Sequence, residues 1–143
     1  MDIQSFLPAL QAVLAPASNA VLWLFVSLVL VVVAIRIYTA ITPYDDFRLI
    51  GDGNSAVAYA LSGTLVGLVI PLFAVIIHTG KISDLVIWST IALLMQLVLL
   101  VAEAVTFPGL RRKMAEGKCD AAGIWLGAMS ASGGALVAAC NIP

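Results

Sequence analysis

Apolar residues run along this chain in long blocks, with polar residues gathered between them. Four blocks reach the roughly 20 apolar residues that a helix needs to cross a bilayer. They extend from about Ala20 to Ile41, Ser55 to Ile77, Leu85 to Phe107 and Ala121 to Cys140. The first is almost pure Val, Leu and Ile until Arg36, whereas the fourth is built more from Ala, Gly and Ser. β-Branched residues weaken a helix in water. In lipid every backbone polar group needs an internal partner, so the helix forms regardless. The alternating segments of a membrane β-barrel are absent. The pattern therefore predicts an all-α fold, a four-span transmembrane bundle over residues 20–143, preceded by a segment at 1–19. In that segment Ile3, Phe6, Leu7, Leu10, Val13 and Leu14 fall near helical spacing, interrupted by Pro8 and Pro16. We read it as a short helix lying at the interface; an N-terminal extension of the first span is the other reading. A secretory signal would open with positive charge. Asp2 and a first basic residue at Arg36 indicate a mature N-terminus instead.

Punctuation supports the spans. Proline disfavours the α conformation just before it, so Thr42-Pro43 and Phe107-Pro108 end the first and third. Asn54 and Asp120 are candidate N-caps for the second and fourth. Trp23, Trp88 and Trp125 lie near span ends, where aromatic belts form. Six of the seven basic residues (Arg36, Arg48, Arg111, Arg112, Lys113 and Lys118) fall on one side, against Lys81 on the other. That bias predicts a cytoplasmic face carrying the loops 42–54 and 108–119, with both termini periplasmic.

The second and fourth spans resemble each other. Asn54 through Tyr59 leads to Gly63 and Gly67; Asp120 through Trp125 leads to Gly127 and Gly133. The cap, the alanine two residues on, the aromatic five on and a glycine thirteen on coincide. The unit is a helix hairpin used twice, and two crossings per unit make the repeats parallel.

Thr42-Pro43 with Asp45-Asp46, then Asn54-Ser-Ala-Val-Ala, Ser62-Gly63-Thr64-Leu65-Val66-Gly67 with Pro71-Leu72, Gln96, Gly133-Gly134 and Ala138-Ala139-Cys140 form a recognisable series. It resembles the YjfL-like family of small bacterial inner-membrane proteins, from about Tyr38 to the C-terminus. The resemblance implies a four-span protein of the bacterial inner membrane, with a domain classed as of unknown function. It carries over no catalytic residues, and it hints at a role beside membrane-stress genes. The long N-terminal segment departs from the family pattern.

Composition narrows the class. Hydrophobic residues make up 62% of the chain and charged residues 10%, with mean hydropathy +1.10. Soluble domains carry about 45–50% and about 25%, so the lipid bilayer is the solvent and first partner. A formal net charge of -1 gives no case for nucleic acid.

Within lipid, helices associate by close packing of small residues. Ala60, Gly63 and Gly67 recur on the second span with Ala56, and Gly123, Gly127 and Gly134 on the fourth with Ser130. Each row can serve packing inside the bundle or a homo-oligomer interface. The third span carries Ser89, Gln96 and Glu103 at seven-residue intervals, hence on one face. Polar groups at that depth face protein or water, either as interhelical hydrogen bonding or as a cation or proton path. Arg36 and Glu103 sit at similar depth, seven and five residues before their prolines, and are expected to pair. His78 stands alone, the acids Asp45, Asp46 and Asp52 read as a solvated loop, and Arg111-Arg112-Lys113 reads as a topology signal. Cys119 and Cys140 are separated by about 31 Å of helix, beyond disulfide reach. No catalytic set, cofactor motif or metal spacing appears. The leading function is a structural or interaction component that associates through small-residue faces, with a cytoplasmic protein partner possible at the loops. The alternative is a small ion channel or proton-coupled transporter using the third span, and an enzyme is a distant third.

Overall fold

The protein is described here by a computed structural model, over residues 3–141, with side chains from residue 12 onward except 13 and 15. Met1, Asp2 and the side chains of Ile3, Phe6, Leu7, Leu10 and Val13 lie outside the described residues. Six helices follow in order: α1 (Ile3–Ile41), α2 (Asp46–Gly51), α3 (Ser55–His78), α4 (Ile82–Thr106), α5 (Pro108–Ala115) and α6 (Asp120–Cys140). Four of them are long and apolar enough to cross a membrane, over Pro16–Ile41, Ser55–His78, Ile82–Thr106 and Asp120–Cys140. These match the expected spans to within four residues.

The N-terminal segment differs from the favoured expectation. α1 is unbroken through Pro8 and Pro16, so residues 3–19 continue the first span's helix and form no separate element. Its 39 residues make about 58 Å at 1.5 Å per residue, well beyond a hydrocarbon core of about 30 Å.

Helix ends follow local chemistry. α1 stops at Ile41, where Thr42-Pro43 begins. Asn54 caps α3, its side-chain oxygen accepting from the Val57 amide at 3.1 Å. Asp120 is not a cap: Cys119 holds that position, and Asp120 is the first helical residue. There its charge suits the positive end of the helix, and it accepts the Ser55 hydroxyl at 2.5 Å.

The two loops each hold a short helix that hydrophobic blocks alone do not reveal. α2 and α5 end in the same turn. The Asp52, Gly53 and Asn54 amides donate to the Arg48, Ile50 and Leu49 carbonyls; those of Glu116, Gly117 and Lys118 donate to the Arg112, Met114 and Lys113 carbonyls. This is the Schellman pattern, and both turns need a residue with positive φ. Gly53 at +88° and Gly117 at +67° supply it. Helix, short helix, glycine turn, helix is thus the unit, used twice in parallel. The Asn54 amide nitrogen ties the units together by donating to the Met114 and Ala115 carbonyls at 3.0 and 3.3 Å.

The bundle is built on α3 against α6. Gly63 faces the backbone of Gly127, Gly123 faces the Ala56 carbonyl, and Gly134 faces the Gly67 backbone, so closely that a Cβ at any of the three would collide. Hydrocarbon gives no hydrophobic drive for such contact; backbone proximity supplies the dispersion instead. α4 packs beside this pair, and α1 lies outermost, against α3 and α4. Most of the described α1 side chains, such as Leu24, Phe25 and Leu28, point away from the bundle.

Candidate functional site: a buried polar file

Ser89, Gln96 and Glu103 share the inner face of α4, 0%, 0% and 8% exposed. Gln96 fits the notch between Gly67, Gly133 and Ser130, where a Cβ on Gly67 would stand 2.8 Å from its amide nitrogen. That nitrogen donates to the Ser130 carbonyl at 2.9 Å. The Ser130 hydroxyl in turn donates to a Glu103 carboxylate oxygen at 3.0 Å. Ser130, from the fourth span's small-residue row, therefore joins both polar residues of the third.

Beyond Glu103 the file continues into the short helices. Arg111, on the inner side of α5, is 8% exposed, and its Nη2 donates to the Leu100 carbonyl at 3.3 Å. Its charge acts on Glu103, Asp46, Tyr38 and Tyr44. Asp46 is 2% exposed and accepts the Thr42 hydroxyl at 2.7 Å. Burial pushes the Asp46 carboxyl above its usual range, against the opposing pull of the Thr42 hydrogen bond and Arg111. Burial likewise raises the Tyr44 phenol, with Tyr38 and Asp46 adding to the effect. Tyr38, on α1, lies beside Thr64 of α3, both buried. A cavity of about 10 Å³ is lined by Tyr38, Thr42, Leu100 and Arg111, among others. At the far end, the Asn141 amide donates to the carbonyl of Trp88, next to Ser89.

Four atoms along this file are buried without a hydrogen-bond partner among the described residues: the Tyr44 hydroxyl, Arg111 Nε, Gln96 Oε1 and Ser89 Oγ. Native interiors leave few such groups, because each carries its full desolvation cost.

Several expectations change. Arg36 does not pair with Glu103; it is exposed, and the ion pairs among the described residues are Arg48–Asp52, Arg112–Glu116 and Lys118–Glu116. Similar depth places two residues at one level but not on facing sides, and Glu103 faces α6 and Arg111 instead. Of the two uses open to the small-residue rows, packing inside the bundle is the one seen: Ala60, Gly63, Gly67, Gly123, Gly127 and Gly134 lie where α3 meets α6 within one chain. Asp46 is not a solvated loop acid, and Arg111 does more than mark topology. A 3.6-residue reading of α5 offers the missed signal: Arg111 and Met114 fall on its buried side, Arg112 and Lys113 on its exposed side.

A family model described as Domain of Unknown Function (DUF350) matches residues 9–141. The UPF0719 inner membrane protein YjfL of Escherichia coli K12 is 36% identical over 118 residues, covering 82% of this chain and 89% of that protein. The protein of the same description from Escherichia coli O157:H7 matches equally. No solved structure matches.

Proposed function

The chain belongs to the DUF350 family, and from that premise we propose that it is a bacterial inner-membrane protein that passes an ion along the buried polar file. The observation that carries this reading is the burial of the ionisable Glu103 and Arg111 along one file of buried polar side chains. Ionisable groups within a membrane protein are costly and typically mark a substrate or ion pathway. A merely structural hydrogen bond could be made by serine or glutamine without that cost. The glycine faces that a scaffold would use for association are engaged between α3 and α6 within one chain, which supports the ion path over that alternative. A cytoplasmic partner at the loops and a role in membrane stress gain no support from the site geometry. The inner-membrane setting follows the name of the Escherichia coli relatives.

The excess of basic residues supports an orientation in which α2 and α5 face the cytoplasm and both termini the periplasm. Cys140 is exposed and Cys119 half-buried at the opposite end of α6. A membrane-impermeant maleimide applied to intact cells should label Cys140 and spare Cys119; the reverse pattern inverts the topology. Transport itself is tested with purified protein in vesicles of phosphatidylethanolamine and phosphatidylglycerol. Under an imposed potential, protein-dependent ion current is expected. A protein that conducts nothing overturns the proposal.

A further inference from the structure

We propose that the ion is a proton, bound and carried by Glu103 beside Ser130, with Arg111 and Asp46 setting the charge around it. The inference rests on the transport reading above and names its cargo.

Charge balance comes first. With all three groups ionised, the two carboxylates and one guanidinium sum to one negative charge. Arg111 stays charged in any protein setting, so it cannot adjust. The groups acting on Glu103 are Ser130 from α6 and Arg111 from α5, with Tyr38 of α1 near enough to feel its charge; Asp46 of α2 is linked to it through Arg111. None adds a second positive charge. An unbalanced buried charge is expensive, and one bound cation removes it.

Coordination then selects the cation. A metal ion would need several converging ligands to replace its hydration shell. Among the described residues no group of three His, Cys, Asp or Glu side chains could provide them. A proton needs no such shell. Anions are disfavoured by the two carboxylates.

The partnerless atoms supply the route. A hydronium at the α2–α5 end releases a proton to a Glu103 carboxylate oxygen; one O–H bond breaks to leave water and one forms to give the neutral acid. The acid then passes that proton to the Ser130 oxygen as the Ser130 hydroxyl releases its own to a water accepted by Gln96 Oε1. Ser130 is regenerated and Glu103 returns to the carboxylate. Arg111 Nε and Ser89 Oγ lie at the two ends of this line, placed to hold further water.

The test uses the full chain in vesicles of three parts phosphatidylethanolamine to one part phosphatidylglycerol, with a trapped pH dye and, separately, sodium- and potassium-sensitive dyes. Under an imposed potential the protein should move protons and neither metal ion. Glu103→Gln should lower proton flux by about tenfold or more, as expected for loss of a positioned proton-transfer group. Asp46→Asn should lower it too, because the cluster is then neutral without a proton. Glu103→Asp should retain part of it. Sodium or potassium flux without proton flux overturns this inference and leaves ion transport standing. No flux of any ion overturns both, and undiminished proton flux in Glu103→Gln removes Glu103 as the carrier. Should that variant fail to fold, the native protein still decides: dicyclohexylcarbodiimide, which attacks protonated buried carboxyls, should add its mass to Glu103 and block flux. Full flux after Glu103 is modified overturns the proposal.

Discussion

Set the two repeats side by side, aligned on Pro43 and Pro108, and their second long helices are near equivalents while their first are not. Gln96 of α4 corresponds to Val31 of α1, Ser89 to Leu24, and Glu103 to Tyr38. α3 and α6 share small residues and buried hydroxyls, Thr64 in one and Ser130 in the other. Tyr38 lies beside Thr64 as Glu103 lies beside Ser130, and the Arg111 charge acts on both. What the repeats have in common builds the scaffold, and where they diverge the polar file appears. α1, lacking the polar row, stays at the periphery; α4, carrying it, turns that row toward α6.

The largest effect should come from the shared part. A leucine at Gly63 meets the Gly127 backbone, and backbone cannot yield without separating α3 from α6. Overpacking costs about 1–3 kcal/mol where side chains can shift. Gly63→Leu should therefore lose at least about 3 kcal/mol, read as thermal unfolding in dodecyl maltoside micelles. Gly51→Ala, where an added Cβ meets nothing within 4 Å, is the control. A stable Gly63→Leu protein would show that the glycine contact is not what joins the repeats.

Asp46 tests the divergent part through pH. Its folded-state carboxyl is raised above the ordinary 3.8 by burial, so the folded chain holds this proton more tightly than the unfolded chain. Below 3.8 both states are protonated and Asp46 is neutral in sign. As pH rises from there, the unfolded chain ionises first, and stability falls until pH passes the folded value. Asp46→Asn keeps an acceptor for the Thr42 hydroxyl and should remove that decline, leaving the variant more stable than the native chain at pH 7. An unchanged pH slope in the variant would place the titration elsewhere.

The scaffold was legible because lipid imposes simple rules: block length gives the spans, proline and asparagine give their ends, and small residues give the close contacts. The site was only half legible. Ser89, Gln96 and Glu103 declare themselves by polarity within an apolar block. Asp46 and Arg111 lie between blocks, where charge is the usual composition, so polarity carries no signal there. Their burial depends on α2 and α5 folding back onto the bundle, which requires the Gly53 and Gly117 turns and the Asn54 tether. The Arg36–Glu103 pairing fails for a related reason: sequence gives depth along a helix, whereas partnership needs rotation about it, which only packing fixes.

The smallest stability change should accompany Gln96→Met, which makes α4 more like α1 at that level. Methionine matches glutamine in length and is unbranched, so it fits the notch beside Gly67 and Gly133. One hydrogen bond to the Ser130 carbonyl is lost, and the partnerless Oε1 is removed with its desolvation cost. Interhelical hydrogen bonds in membranes average about 0.6 kcal/mol, so the net change in unfolding should stay below about 1 kcal/mol. Ion flux should nevertheless fall, because the acceptor beyond Ser130 is gone. A variant that keeps its flux would mean that the polar row of α4 serves packing alone. One that keeps its stability and loses its flux would mean that the second repeat left the pattern of the first for the sake of transport.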